Sequence, residues 1–108
     1  MVVVVSSRTI IIAGAGIGGL TAALAFARRG LRVRVLEQAM RLEETGAGLQ
    51  LSPNATRVLI DLGLDERLRP RLVAPEAIRV RKAATGRDLA RLPVGRAQQY
   101  YGTPYWLI

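Results

Sequence analysis

Four glycines fall within positions 14–19, directly after a run of branched apolar residues, in the stretch IIIAGAGIGGL. The residues before this break, 8–13, are typical of a strand buried on both faces in a parallel sheet. Residues 17–29 are mostly Ala, Leu and Ile with no Pro, which favours a helix ending at Gly30. A Val-rich strand is predicted at 31–37. The order strand, glycine turn, helix, strand predicts a βαβ unit.

Three of these glycines, Gly14, Gly16 and Gly19, form the pattern G-x-G-x-x-G between the predicted strand and helix. Gly14 permits the tight turn, Gly16 lets a pyrophosphate approach the backbone, and Gly19 lets the helix pack close to the sheet. The helix N-terminus adds N–H donors and a positive dipole end for phosphates. The alternative is a structural glycine turn that binds nothing.

Glu37 favours the nucleotide-binding interpretation. It stands at the end of the second predicted strand, 18 residues after Gly19. A carboxylate at that place accepts hydrogen bonds from the ribose hydroxyls of adenosine and repels a 2′-phosphate. The site is therefore predicted to prefer FAD or NAD to NADP.

Composition limits the remaining chemistry. With 108 residues, the chain is long enough for one small domain or for a piece of a larger one. It has no cysteine and no histidine, which excludes disulfides, thiolate or imidazole metal ligands, and Ser-His or Cys-His nucleophile pairs. Any redox chemistry must come from a cofactor.

The net charge of +8 comes from 16 basic residues, of which only Lys82 is a lysine, against 8 acidic ones. The arginines are scattered, so we interpret them as a solvated surface and expect no nucleic-acid partner. No apolar run approaches the ~18 residues of a membrane span, and the opening MVVVV lacks a basic signal region. We expect a cytoplasmic protein with no membrane partner.

Residues 48–63 predict a second strand and helix. A short strand is expected at 48–51, then a helix with Ser52 as N-cap and Pro53 at its first position, ending at Gly63. The inward-facing residues of that helix are expected to be Val58, Leu59 and Leu62.

Three further segments follow toward the C-terminus. One or two helical turns are predicted at 65–71. Two strands, 77–82 and 88–92, are joined by a predicted turn at 84–87. The last predicted strand, 105–108, has no evident partner to pair its backbone.

The segments GAGIGGLTAALAFARRG, VLEQA, GAGLQLSPNATRVL and YGTPYW together resemble FAD-dependent aromatic monooxygenases of the salicylate hydroxylase and para-hydroxybenzoate hydroxylase type. The resemblance covers roughly residues 9–108. It implies an α/β fold in which a Rossmann-like βαβ FAD-binding unit and a strand-helix segment (1–72) precede the first strands of a β-rich substrate region (73–108).

The resemblance also implies roles for individual residues. The pyrophosphate turn corresponds to Gly14, Ala15, Gly16, Ile17, Gly18 and Gly19. Glu37, followed by Gln38, corresponds to the ribose-binding acid, and Arg41 to a basic residue near the cofactor. Gln50 and Asn54 are candidates beside the flavin. A solvent contact and a helix-start hydrogen bond are the alternative interpretations of this pair.

The reaction implied by the resemblance is hydroxylation of an aromatic substrate with NAD(P)H and O₂, through FAD. No catalytic residue and no metal ligand is expected in this chain. Members of the family run to several hundred residues, so we expect a truncated, incomplete enzyme that is too short to act alone. Alternatives are a non-catalytic nucleotide-binding module that self-associates or docks on a complementary chain, and part of an NAD-dependent dehydrogenase.

Overall fold

A computed structural model describes residues 8–43 and 48–108. The chain divides into two compact units, residues 1–45 and 46–108. The N-terminal residues 1–7 and residues 44–47 lie outside the described part, so the first two residues of the segment GAGLQLSPNATRVL are not described. Within the described ranges, no helix has the length and apolar character needed to cross a bilayer.

The first unit is the predicted βαβ unit. Strand β1 (Thr9–Ala13) leads through the glycine turn into helix α1 (Ile17–Arg28), and the chain returns in strand β2 (Arg32–Leu36). The two strands are parallel, with Thr9 opposite Arg32 and Ala13 opposite Leu36. Gly30, with φ +76, turns the chain out of the helix as predicted.

The prediction that β1 is buried on both faces is wrong for this unit. Ile10 and Ile12 are half-buried, and their partners in β2, Val33 and Val35, are half-buried on the same face. Ile11, on the opposite face, is 64% exposed. The reason is physical: one helix can cover only one face of a two-stranded sheet.

The second unit contains short elements, with bounds close to those predicted for the helix after Ser52 and for the hairpin. In chain order they are β3 (Gln50–Leu51), α2 (Pro53–Asp61), α3 (Asp65–Leu68), a 3₁₀ turn (Arg69–Arg71), β4 (Ile78–Arg81), β5 (Asp88–Leu92), a second 3₁₀ turn (Val94–Arg96), α4 (Ala97–Tyr101) and β6 (Trp106–Leu107). Helix α4 and the 3₁₀ turn before it were not predicted.

Strand β6 has partners within the chain, contrary to the expectation of an unpaired final strand. It runs antiparallel to β3, with Leu51 opposite Trp106. On its other side, Leu107 exchanges two backbone hydrogen bonds of 2.8 and 2.9 Å with Val73. Because its backbone is paired on both sides, a strand of only two residues is held in place.

Of the residues predicted to face inward on helix α2, Leu59 is buried and Leu62, just after the helix, is half-buried, but Val58 is not. Its buried residues are Thr56 and Leu59, whereas Val58 is 44% exposed. Thr56 is fully buried, and its hydroxyl donates to Pro104 O at 2.7 Å. Thr103 in turn donates to Pro53 O at 2.7 Å. These two hydroxyls tie the start of α2 to the chain just before β6.

The hairpin of β4 and β5 is antiparallel, and both strands are largely exposed. Asp88 accepts hydrogen bonds from Arg79 and from Arg81, the latter at 3.0 Å. These two guanidinium groups, Arg79 first, lower the pKa of Asp88 below its ordinary value. The basic residues of this hairpin are thus partly neutralised locally.

Candidate functional site

The glycine turn is fixed by its backbone. Gly14 has φ +99, a conformation that residues with a Cβ rarely adopt. Its N–H donates to Leu36 O at 2.6 Å, which joins the exit of β1 to the end of β2. The first glycine of the pattern therefore closes the turn at the carboxyl ends of both strands.

The start of α1 is open to a ligand. Gly16 is the N-cap and offers no side-chain cap, so the first-turn N–H groups are left to other acceptors. A Cβ built at Gly16 or at Gly18 would meet no atom within 4 Å. The positive end of a 12-residue helix thus faces space that an anion can enter.

Gly19 has a different role, because it is tightly packed. A Cβ at this position would overlap Gly14 O and lie 3.1 Å from Gly14 C and 3.4 Å from Cγ2 of Ile12. Gly19 is needed for the close approach of α1 to β1, as the sequence predicts.

Glu37 follows β2 directly, and its carboxylate reaches back to the turn. Its Oε2 accepts from the N–H of Ala15 at 2.7 Å, and its Oε1 accepts from the N–H of Ala39 at 2.8 Å. These donors, Ala39 first, lower the pKa of Glu37 below its ordinary value, since they stabilise the charged form. Each oxygen retains a lone pair for another donor. The residue is an ionised, oriented acceptor beside the glycine turn.

A cleft of about 510 Å³ lies at this junction, lined by Ala13, Gly14, Leu36, Glu37 and Gln38. The structure therefore brings the turn, the acid and Gln38 together. Arg41 is exposed and does not belong to this lining.

Gln50 and Asn54 lie in the second unit. Gln50 Oε1 accepts a hydrogen bond from the phenol of Tyr105 at 2.6 Å. Asn54 Oδ1 accepts from Ser52 Oγ at 2.5 Å, which is a contact at the start of a helix. Ser52 is the N-cap by position, but its side chain makes no cap hydrogen bond to the helix backbone.

Sequence reasoning missed the contacts between α2 and the segment 101–105. Arg57 donates to Tyr101 O at 2.6 Å, beside the Thr56 and Thr103 hydroxyls described above. The sequence places Tyr105 only at the start of the last predicted strand, 105–108. A correct prediction that β3 pairs with β6 would have placed Tyr105 next to Gln50.

The geometry fits the adenosine diphosphate part of a dinucleotide, and comparison with known proteins specifies which one. A family model described as an FAD binding domain matches residues 7–104. The chain belongs to this FAD binding domain family. The match confirms the α/β fold class and FAD as the cofactor predicted from the sequence.

The FAD binding domain has relatives among aromatic hydroxylases. It is 48% identical over 100 residues to 3-amino-4-hydroxybenzoate 2-monooxygenase of Streptomyces cremeus and 46% identical over 100 residues to 3-hydroxybenzoate 6-hydroxylase of Polaromonas naphthalenivorans. Each match covers 92% of this chain and 25% of the relative.

A solved structure of an oxygenase is also similar to this chain. The tetrameric form of 2-methyl-3-hydroxypyridine-5-carboxylic acid oxygenase matches with a TM-score of 0.79 and 27% identity, covering 95% of this chain and 26% of that chain. The chain thus spans about a quarter of the length of the relatives it matches. The resemblance to FAD-dependent aromatic monooxygenases is confirmed, and neither alternative, a docking module or an NAD-dependent dehydrogenase, is favoured.

Proposed function

We propose that this chain binds the adenosine diphosphate part of FAD through its glycine turn and Glu37. The observation that carries the proposal is the bond from Ala15 N–H to Glu37 Oε2, which places an ionised acceptor at the mouth of the turn. Three features fit FAD: the acid, the open helix start at Gly16, and the cleft lined by Gly14 and Glu37.

Each residue has a physical task in this proposal. The N–H groups at the start of α1, from Gly16 to Gly19, donate to the pyrophosphate, and the N–H of Ala15, in the same turn, holds Glu37 in place. Glu37 accepts from the ribose hydroxyls with the lone pairs that its own backbone donors leave available. Gln38 borders the adenosine side of the cleft, and Arg41 supplies positive charge nearby.

We further propose that the whole protein hydroxylates an aromatic ring with NAD(P)H and O₂, in the cytoplasm. The hydroxybenzoate and aminohydroxybenzoate relatives support an aromatic carboxylate as the substrate class. Bound FAD would supply the redox chemistry that the side chains of this chain lack. In this proposal residues 1–72 bind FAD, with Gln50 on the flavin side, and residues 73–108 begin the substrate region.

The proposal is tested by titrating the chain with FAD and with FMN, following flavin fluorescence. FMN carries the same ring system but no adenosine and no pyrophosphate, so we expect FAD to bind more tightly. Glu37→Gln should weaken FAD binding about tenfold, because a charged acceptor is worth about 1–1.5 kcal/mol more than a neutral one. It should leave FMN binding unchanged.

The matched control is Glu43→Gln, which removes one exposed carboxylate from the same unit. It should leave FAD affinity within twofold of that of the unaltered chain. Equal affinities for FAD and FMN, or equal losses from the two substitutions, would overturn the assignment of the site.

A further inference from the structure

The second unit contains a cleft of its own, with a volume of about 370 Å³, which is within the size range of sites for small molecules. Its lining residues all belong to residues 46–108. The apolar wall consists of Ile60, Leu72 and Pro104, which are half-buried. Trp106 of β6, also half-buried, adds an indole ring. An apolar wall with an aromatic ring favours a planar aromatic ligand.

Two side chains of opposite charge line the same cleft. Asp65 begins α3 and is half-buried, and Arg69 follows four residues later. Opposite charges at this spacing on a helix are close enough to pair. Among the residues that the structure describes, however, neither side chain has a hydrogen-bond or ion-pair partner. A carboxylate acceptor and a guanidinium donor are therefore both available to a ligand.

Gln98 of α4 supplies a third polar group at the cleft. Its Nε2 donates to Gly102 O at 3.0 Å, and this bond orients the side-chain amide. In the described ranges no donor reaches its Oε1, so this oxygen is left as an acceptor. The cleft thus combines one cation with two hydrogen-bond acceptors, one of which is charged.

We propose that this cleft binds a small aromatic molecule that carries both a carboxylate and an amino group. Arg69 binds the carboxylate, and Asp65 and Gln98 accept from the amino group. The ring packs against Trp106 and the apolar wall. Both groups are needed, because an aromatic acid without a donor would bring a second negative charge to Asp65 and leave its carboxylate unpaired. The inference goes beyond the proposed function, since it concerns the second unit alone and needs no FAD.

A titration of the ¹⁵N-labelled chain with 4-aminobenzoate, in the absence of FAD, tests this. Trp106 is the one tryptophan of the chain, so the spectrum contains a single indole N–H signal. We expect 4-aminobenzoate to shift this signal saturably. Benzoate lacks the amino group and aniline lacks the carboxylate. Each should bind at least about tenfold more weakly, because a charged partner in the cleft is then left without its hydrogen bond.

Substitutions of the two charged residues identify their roles. Arg69→Gln should raise the Kd for 4-aminobenzoate about tenfold, and Asp65→Asn about fivefold, the usual range for hydrogen bonds to charged groups. The matched controls are Arg67→Gln and Glu66→Gln. They change exposed charges of α3 that do not line the cleft. Each control should leave the Kd within about twofold of that of the unaltered chain.

Three results would overturn the inference. The first is an indole signal that 4-aminobenzoate does not move. The second is a Kd that Arg69→Gln leaves unchanged, or that Arg67→Gln raises equally, because the affinity would then not come from this cleft. The third is benzoate binding as tight as that of 4-aminobenzoate, which would contradict the role of Asp65 and Gln98 as acceptors for an amino group.

Discussion

Gly19→Ala is the substitution that most sharply tests the packing of α1 against β1. The added methyl group would overlap the backbone oxygen of Gly14 and lie 3.1 Å from its carbonyl carbon. Carbon atoms in comfortable contact are about 3.5–4.0 Å apart, so the helix must move away from the turn. The obstructing atoms belong to the backbone and cannot rotate aside as a side chain would.

The magnitude follows from two opposing terms. Overpacking of this kind costs about 1–3 kcal/mol, and the rigid obstacle at Gly14 places Gly19→Ala near the upper end. Replacing Gly by Ala within a helix contributes about 1 kcal/mol in the other direction. We expect a net loss of about 2 kcal/mol in the free energy of unfolding. For a chain of this size, that corresponds to a Tm lower by roughly 8–16 °C.

The matched control is the adjacent substitution, Gly18→Ala. A methyl group at Gly18 meets no atom within 4 Å, so only the gain in helix propensity remains. Gly18→Ala should be more stable than the unaltered chain by about 0.5–1 kcal/mol. Thermal unfolding of both variants without FAD, followed by circular dichroism, measures the difference. If Gly19→Ala were as stable as Gly18→Ala, the reasoning about close packing at the turn would be refuted.

Two other predictions concern Glu37 and Thr56. The lowered pKa of Glu37 means that its contribution to folding is fully present above the ordinary glutamate value of about 4.3. That contribution is lost as the pH falls from there through the lowered pKa. A pH titration of the Ala15 amide chemical shift should therefore have its midpoint below the ordinary value, and a midpoint above it would contradict the contact. Thr56→Val should lower the free energy of unfolding in urea by about 1–3 kcal/mol, because Pro104 O loses its buried donor, whereas an unchanged value would show that the hydroxyl contributes little.

The sequence was sufficient for the order and the bounds of the elements in the first unit, although not for the burial of β1, because the signals for those elements are local. Each signal concerns the residues that carry it: the apolar run predicts β1, the glycine pattern predicts the turn, and the Val-rich run predicts β2. Once β1 and β2 pair, Glu37 lies beside the turn. The position of the carboxylate near Ala15 follows from that register. The role of Gly19 could also be predicted correctly, because few residues other than glycine allow a helix to pack this closely on a strand.

The second unit was harder because its elements depend on distant partners. Strand β6 has two residues, too few for a periodic pattern, and is held by β3 and Val73. The buried face of α2 includes Thr56 rather than Val58, because the helix packs against a segment in which Pro104 O needs a hydrogen-bond donor. The spacing of apolar residues along a helix does not show that a hydroxyl is buried. The contact between Gln50 and Tyr105 likewise forms only when β3 and β6 pair.

The most direct test of the FAD site is an NMR titration of the ¹⁵N-labelled chain with FAD. If the glycine turn and Glu37 hold the adenosine diphosphate part, the largest changes in amide chemical shift should fall on residues 14–19 and 37–39. The amides of the hairpin, residues 78–92, should stay nearly unchanged. Saturation with FAD that leaves residues 14–19 unmoved, or that shifts the hairpin most, would contradict the assignment.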